Sequence, residues 1–283
     1  MRIAGIEIGG TKLQVVVGNE RGVVEDRVAH VIDASQGAVV IRNLVEQSLK
    51  KFGKVDAVGV GFGGPVNRIT GEVWTSYHVE GWTGFNIRSW LGGGQVVVEN
   101  DANVAALGEA VVGAGKDHRV VFYVTLGSGV GGGIVVDGSI YHGKLPGEVE
   151  FGHIRLDKTG RTLQDSCSGW AVNEKVRAKK LGDDAKSLFP SIAAGNEEAT
   201  GIFNETVNDL AFGLSHVVHL FHPDTIVIGG GLSFIGEPLR KSVERELKSF
   251  IMDAFQPGPI VQLSQLKADA VPVGALILAG QKK

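Results

Sequence analysis

Glycine is unusually abundant in this sequence, and it is concentrated where apolar, β-branched runs end. It makes up 42 of the 283 residues, about 15% against a usual share of about 7%. Because glycine lets the backbone turn sharply or approach a ligand closely, glycine clusters at strand ends are typical of binding loops as well as of tight turns. The sequence therefore predicts a fold whose strands end in glycine turns.

Two stretches of the sequence share one layout, a strand, a glycine turn and a returning strand. The first turn is Gly9–Lys12, the second is predicted over 127–133, and a third glycine turn, Gly229–Gly231, follows another apolar strand. The predicted strands span 2–8, 13–18, 22–32, 55–61, 95–98, 119–126, 134–136, 225–228 and 260–263. The predicted helices span 36–52, 102–113, 168–180, 203–221, 235–251 and 271–281.

A polar, glycine-containing break at 113–117 separates the two stretches. The length of the chain is typical of about two domains. We therefore predict an N-terminal α/β domain over 1–115, completed by a C-terminal helix over 271–283, and a C-terminal α/β domain over 116–270.

Composition excludes several classes of protein. Lys and Arg number 28 against 31 Asp and Glu, a formal charge of −3, which argues against a nucleic-acid partner held by bulk charge. The single Cys167 excludes a disulfide framework within one chain and fits a reducing compartment. No window approaches the roughly 18 apolar residues of a membrane-spanning helix, and no signal peptide is recognisable. We expect a cytoplasmic protein with no membrane partner.

The glycine turns do not match the best-known sequence signatures of nucleotide-binding proteins. Residues 127–132 match G-x-G-x-x-G, but a strand rather than a helix follows, so the dinucleotide fingerprint does not apply. The sequence has no H-R-D or D-F-G segment of a protein kinase and no G-x-x-x-x-G-K-[ST] loop. Each turn alone could be a plain hairpin, whereas three together favour phosphate cradles on either side of a cleft.

Five short motifs resemble the ROK family of repressors, open reading frames and sugar kinases. They are Glu7–Lys12, Glu99–Glu109, Thr125–Gly131, Glu150–His153 and Ile228–Gly231, in the family's order. The resemblance implies an α/β fold of the actin-like ATPase type, with two ribonuclease-H-like domains flanking an active-site cleft that closes on ATP and substrate. It covers the chain from residue 3 to about residue 280.

Asp101 is the candidate catalytic residue. It matches the family's catalytic aspartate, which takes the proton from the attacking hydroxyl. Its position between a predicted strand and helix fits a helix N-cap equally well, so that alternative stays open on the pattern alone. The resemblance also implies that Asn100 binds a sugar hydroxyl, although an asparagine before an aspartate is a common turn residue.

The resemblance implies further sugar-binding residues on three segments. They are Gly64 and Pro65, then Glu150 and His153, then Gln164, which stands where the family has a glutamate. Glutamine keeps its hydrogen bonds but loses the charge and one acceptor. Gly63 replaces a family proline, which is expected to loosen that loop.

The resemblance assigns ATP to the three glycine turns and Mg²⁺ to the acid that precedes the first of them. The nucleotide-binding candidates are Gly9, Gly10, Thr11, Lys12, Thr125, Gly127, Ser128, Gly129, Gly229, Gly230 and Gly231. Glu7 replaces the more usual aspartate and is expected to approach Mg²⁺, directly or through water. The alternatives are a charge on an edge strand for Glu7 and a plain surface residue for Lys12.

Many family members hold a structural zinc ion with a histidine and three cysteines. Here the segment between His153 and Ser168 contains one cysteine, Cys167. One Cys and one His cannot complete a tetrahedral site. We therefore predict no structural zinc, which leaves His153 for the sugar.

The predicted function is ATP- and Mg²⁺-dependent phosphorylation of a hexose by a glucokinase- or fructokinase-like enzyme that forms a homodimer. One alternative is a sugar-responsive repressor, but repressors carry an N-terminal DNA-binding segment, and this chain begins just before the first strand motif. A second alternative is a catalytically weak sugar-binding protein, because Glu7, Gly63 and Gln164 all depart from the family pattern. The identity of the sugar and a donor such as polyphosphate stay open.

Overall fold

The computed structural model describes residues 1–76, 79–145 and 149–281, so the last two residues of the predicted C-terminal helix, 282 and 283, lie outside the described residues. The strands are β1 (Ile3–Ile8), β2 (Lys12–Gly18), β3 (Val24–Val31), β4 (Ala57–Phe62), β5 (Val66–Asn67), β6 (Glu72–Val73), β7 (Val96–Asn100), β8 (Val120–Leu126), β9 (Val130–Val136), β10 (Ser139–Ile140), β11 (Thr225–Gly229) and β12 (Ile260–Leu263). The α-helices are α1 (Gly37–Phe52), α2 (Ile87–Trp90), α3 (Asp101–Val112), α4 (Leu163–Cys167), α5 (Gly169–Ala178), α6 (Leu188–Ala193), α7 (Glu197–Phe221), α8 (Glu237–Phe250) and α9 (Ala270–Gln281).

Two five-stranded sheets with the same topology form the frame of the molecule. Their strand orders are β3-β2-β1-β4-β7 and β10-β9-β8-β11-β12. In each sheet the first three strands in sequence pair antiparallel with their neighbours. The fourth strand pairs in parallel with the first, and the fifth pairs in parallel with the fourth. The predicted hairpins at β1–β2 and β8–β9 are confirmed, with glycine turns at their tips.

The second hairpin has a shorter turn than the sequence predicts. We expected a turn over 127–133, but strand β9 already begins at Val130 and contains Gly131, Gly132 and Gly133. These strand positions are occupied by glycine because neighbouring groups leave no room for side chains. A Cβ atom on Gly133, for example, would lie 2.8 Å from the Ala106 Cβ. That part of the prediction is wrong because glycine here permits close packing and does not mark a bend.

Helices α3 and α9 pack against each other between the two sheets. Helix α3 contacts β8 and β9 of the second sheet, and helix α9 contacts β1 and β4 of the first. Glycines permit these close approaches, since a Cβ atom on Gly274 of α9 would lie 1.9 Å from the Val104 carbonyl oxygen of α3. Helix α3 thus covers one face of the second sheet, which it directly precedes in the sequence, whereas the first sheet is covered by α9 from the far end of the described chain.

Glu109 fastens the loop that leads into α9. It is fully buried in α3, and its carboxyl group accepts hydrogen bonds from the Ser264 hydroxyl and from the backbone N–H groups of Ala114, Gln265 and Leu266. Buried polar groups are tolerated when they are hydrogen-bonded in this way. The contacts fix the position of α9 relative to α3.

The first half also contains an aromatic core beside the sheet. Trp82 is fully buried and makes edge-to-face contacts with Phe62, Phe85 and Trp90 at ring-centroid distances of 5.4–6.0 Å. The contacts hold helix α2 and the loop that carries Trp82 and Phe85 against the end of strand β4. None of the helices in the described ranges is both long and apolar enough to cross a bilayer.

Candidate active site

A cavity of about 750 Å³ lies beside the tips of the two glycine hairpins. Twelve of the residues predicted to bind sugar or nucleotide line it: Gly10, Gly64, Pro65, Asn100, Asp101, Thr125, Gly127, Ser128, Gly129, Glu150, His153 and Gln164. A smaller cavity of about 380 Å³ shares Gly10, Ser128 and Trp170 with it and is also lined by Thr11. The fold thus brings segments from both halves of the sequence to one cleft.

Asp101 is the first residue of α3, and Asn100 is the N-cap of that helix. The Asn100 Oδ1 accepts hydrogen bonds from the backbone N–H groups of Ala102 (2.9 Å) and Asn103 (3.3 Å). The alternative that Asp101 acts as the cap is therefore wrong, because its neighbour already performs that role. The carboxyl group of Asp101 is left to line the cavity.

The surroundings of Asp101 favour its protonated form. Burial is the main cause, and the negative charge of Glu7 adds to it; together they raise the pKa of Asp101 to about 7, while the backbone N–H groups at the start of α3 oppose the shift. A carboxyl group with a pKa near neutrality can both accept and release a proton near physiological pH. The geometry therefore gives Asp101 the property that a general base needs.

Glu7 lies on the central strand of its sheet, so the alternative of an edge-strand charge is wrong. Its Oε2 lies 3.0 Å from the Lys12 Nζ and accepts a hydrogen bond from the Gln14 side chain at 2.8 Å. Burial raises the pKa of Glu7, and the charge of Lys12 opposes the rise. Lys12 also donates to the Ala268 carbonyl at 3.3 Å. The two residues form a charged pair behind the first glycine turn, and neither is among the residues that line the cavity.

Glu150 and His153 lie together at the open side of the cavity. Glu150 Oε2 and His153 Nε2 are 3.9 Å apart, and both side chains are exposed. Val149 pairs with Gly132 of β9, and this pairing anchors the segment beside the second hairpin. The Gln164 Oε1 accepts the Val130 N–H at 3.1 Å, so this residue bonds to the hairpin as well as lining the cavity.

Gly63 lies against the carboxyl group of Asp101. Its N–H donates to the Ile8 carbonyl at 2.8 Å, a bond that the family's proline could not make. A Cβ atom at this position would lie 3.3 Å from the Asp101 Oδ2. The structure therefore ties this loop to β1, where the sequence predicted only a looser loop.

The third glycine turn lies beside the second hairpin, next to a strand residue that lines the cavity. Gly229 ends β11 next to Thr125 of β8, and a Cβ atom on Gly230 would lie 2.5 Å from the Leu126 backbone. None of Gly229, Gly230 and Gly231 is among the described residues that line the two cavities. The assignment of all three glycine turns to the nucleotide stays a prediction.

Ion pairs hold the segment in which many family members bind zinc. Arg161 Nη1 lies 2.6 Å from Asp209 Oδ2, and its Nε lies 3.2 Å from Asp157 Oδ2. Ser166 also donates to Asp209. Cys167 is buried in the hydrophobic core of the second half of the molecule. Within residues 1–76, 79–145 and 149–281, no group of three or more His, Cys, Asp or Glu side chains is arranged to hold a metal ion.

Helix α5 contributes cavity residues that the sequence analysis did not identify. Ser168, Trp170, Ala171 and Glu174 line the main cavity, and the Gly169 N–H donates to the Gly127 carbonyl at 2.7 Å. That bond places the start of the helix against the second glycine turn. The sequence predicted a helix over 168–180, and a serine is a common N-cap residue, but no local pattern indicates that this helix lines a cavity.

The family model that matches this chain is that of the ROK family, over residues 3–282. The chain belongs to the ROK family. Among the curated relatives of this ROK protein, the glucokinase of Thermotoga maritima is 30% identical over 97% of this chain and 96% of the relative. The glucokinase of Streptomyces coelicolor is 32% identical over 97% of this chain and 96% of the relative.

A solved structure also resembles this ROK protein over its whole length. It is the ROK family glucokinase of Streptomyces griseus in complex with glucose and AMPPNP, with 27% sequence identity, a TM-score of 0.85 and coverage of 99% of this chain and 100% of that one. The predictions of the family and of an actin-like α/β fold are confirmed.

Proposed function

We propose that this ROK protein transfers the γ-phosphoryl group of ATP to a hydroxyl group of a hexose, with Asp101 as the general base. The glucokinase relatives bear out the enzyme class, a sugar kinase, and the AMPPNP bound in the Streptomyces griseus structure supports ATP as the donor. The observation that carries the assignment of the base is the position of Asp101. Its carboxyl group lines the cavity beside both hairpin tips and has a pKa raised to about 7.

The proposed base acts on a hydroxyl group held against it. Asn100 presents its amide at the same strand end, and its Nδ2 lies 3.4 Å from the Gly64 carbonyl. Glu150 and His153 face the cavity from the other half of the molecule, and a carboxylate can accept from two vicinal hydroxyls at once. A sugar held between these groups would place one hydroxyl at Asp101, which removes its proton as the oxygen attacks phosphorus.

The glycine turns and Lys12 are proposed to hold the phosphates of ATP. The backbone N–H groups of Gly10, Thr11, Ser128 and Gly129 lie at the two hairpin tips, and successive N–H groups in such turns can bind an anion. The carboxyl group of Glu7, already paired with Lys12, offers the hard oxygen donor that Mg²⁺ prefers and would hold the ion directly or through water. When bound, Mg²⁺ neutralises charge on the phosphates.

The proposal is tested by measuring ADP release from ATP and Mg²⁺ over a panel of glucose, fructose, mannose and N-acetylated hexosamines. We expect turnover with one or two of these sugars and only slow ADP release without sugar. The same panel with polyphosphate in place of ATP, followed by the sugar phosphate formed, tests whether polyphosphate also serves as the phosphoryl donor. Sugar-dependent thermal stabilisation without turnover on any sugar would favour the alternative, a catalytically weak sugar-binding protein or regulator.

The pKa of Asp101 predicts the pH dependence of the reaction. Because a general base acts only when ionised, kcat/KM for the sugar is expected to fall about tenfold per pH unit below about pH 7 and to level off above it. The measurement is kcat/KM between about pH 5.5 and pH 9 at saturating ATP, with coupling enzymes in excess at each pH. A profile that stays flat down to about pH 5.5 would contradict the assignment.

The resemblance also supports a homodimer and a cytoplasmic location, and both remain proposals. Sedimentation at several protein concentrations tests the first. The absence of a structural zinc ion is proposed on the single Cys167, and elemental analysis of the purified protein tests it.

A further inference from the structure

Glu99 and His142 form a hydrogen-bonded pair behind the cleft. The Glu99 Oε2 lies 2.6 Å from the His142 Nε2, and the two side chains are 3% and 25% exposed. Glu99 belongs to β7 of the first sheet, and His142 follows β10 of the second sheet. Neither is among the described residues that line the cavity, so the pair joins the two halves of the molecule without belonging to the sites assigned above.

The other oxygen of Glu99 holds the turn that carries Asp101. The Glu99 Oε1 accepts the Asn100 N–H at 2.9 Å and a hydrogen bond from the Asn103 Nδ2 at 3.2 Å. Asn103 is fully buried, and among the described residues Glu99 is the one hydrogen-bond partner of its side chain. Both residues that this carboxyl group holds stand within two positions of Asp101, one on each side of it in the sequence.

A buried carboxyl group keeps one orientation only if both of its oxygens have partners. His142 supplies the partner of Oε2, while Oε1 is used within the turn itself. Without the histidine, Oε2 would be left buried and unpaired, which is unfavourable enough to make the side chain reorient. Reorientation would break the hydrogen bonds to Asn100 and Asn103 and shift the start of α3.

We propose that His142 is a positioning residue: through Glu99 it fixes the turn on which Asp101 meets the sugar hydroxyl. The inference rests on the proposed function, because it concerns the orientation of the proposed base. A displacement of about 1 Å in a reacting group can reduce the rate by about 100-fold. The effect of losing His142 should therefore appear in kcat rather than in the binding of ATP.

The test compares four proteins in the ADP-release assay with the best hexose: wild type, His142→Ala, His142→Gln and the control His219→Ala. Glutamine keeps an N–H donor near the position of Nε2. His219 instead accepts the Met252 N–H at the far end of α7. We expect His142→Ala to reduce kcat by about 10- to 100-fold with the KM for ATP changed by less than about twofold, and His142→Gln to recover kcat to within about threefold. The control should keep the wild-type kcat.

Several outcomes would overturn the inference. One is a kcat for His142→Ala within about twofold of wild type. Another is an equal loss in His142→Ala and His142→Gln together with a lowered Tm, which would make the pair a support of folding alone. A wild-type protein that releases no ADP with any sugar would overturn the proposed function and this inference together, whereas an active wild type that is insensitive to His142→Ala would overturn this inference alone.

Discussion

Asp101→Asn is expected to reduce kcat by about 10²- to 10⁴-fold while the KM values for sugar and ATP change by less than about threefold. Asparagine has nearly the same shape as aspartate but cannot take a proton, so it removes the base without emptying the site. The measurement is steady-state ADP release with the preferred hexose. Asp137→Asn, at an exposed carboxyl group paired with Arg119 at 3.7 Å, is the matched control and should keep the wild-type kcat.

The same substitution is expected to stabilise the folded protein at alkaline pH. The pKa of Asp101 is about 7 in the folded state against an ordinary 3.8, so between these values the folded state binds more protons than the unfolded state, and the stability of the wild type falls as the pH rises. Removing the ionisable group should raise the free energy of unfolding by about 1–2 kcal/mol at pH 8, allowing for partial exposure to the cleft, and by almost nothing near pH 4.

Full activity in Asp101→Asn would show that another group takes the proton. An equal loss in Asp101→Asn and Asp137→Asn would show that the effect is not specific to the cleft. Urea denaturation of both variants at about pH 8 and about pH 4 separates the loss of a catalytic group from a loss of folding.

Gly274→Ala is expected to lower the free energy of unfolding by about 3–5 kcal/mol. The added Cβ atom would lie 1.9 Å from the Val104 carbonyl oxygen, which belongs to the backbone of α3 and cannot move away as a side chain could. Helices α3 and α9 would have to move apart. That movement would disturb the packing of α9 on the first sheet and of α3 on the second. The measurement is the free energy of unfolding from urea denaturation, followed by circular dichroism.

Gly201→Ala is the matched control for this prediction. Gly201 also lies in a helix, α7, but apart from its own stretch of helix no heavy atom of the described residues lies within 4 Å of a Cβ atom built on it. Because alanine is a better helix former than glycine, the control should be unchanged or more stable by up to about 1 kcal/mol. Similar stability in the two variants would contradict the close helix contact described here.

The sequence predicted the sheets well where strands are long and end in glycine. β1, β2, β8 and β11 are runs of apolar, β-branched residues bounded by turns, so their pattern and their structure agree. The hairpin of β5 and β6 was missed because strands of two residues carry no periodicity. The start of β9 was missed because its glycines resemble a turn until the atoms packed against them are known.

Part of the cavity could be predicted because Gly10, Gly64, Asp101 and Gly127 follow the ends of β1, β4, β7 and β8, and the folded chain brings those ends together. What the sequence could not supply was the partner of each side chain. The contact of Glu99 with His142 joins residues 43 positions apart, and no local pattern records it. Likewise, α3 carries apolar residues on all its faces, so its sequence does not indicate which sheet it covers.

The position of α9 has a consequence for the order in which the chain can fold as it is synthesised. The strands of the first sheet are synthesised before the helix that packs on β1 and β4, which follows every other element described above. Until residues 270–281 emerge, that face of the sheet, with Ile3, Val16 and Ala57, has no native cover. Because contacts between distant parts of a sequence form slowly and leave apolar surface exposed in the meantime, the nascent first half is a natural target for chaperones that bind apolar segments.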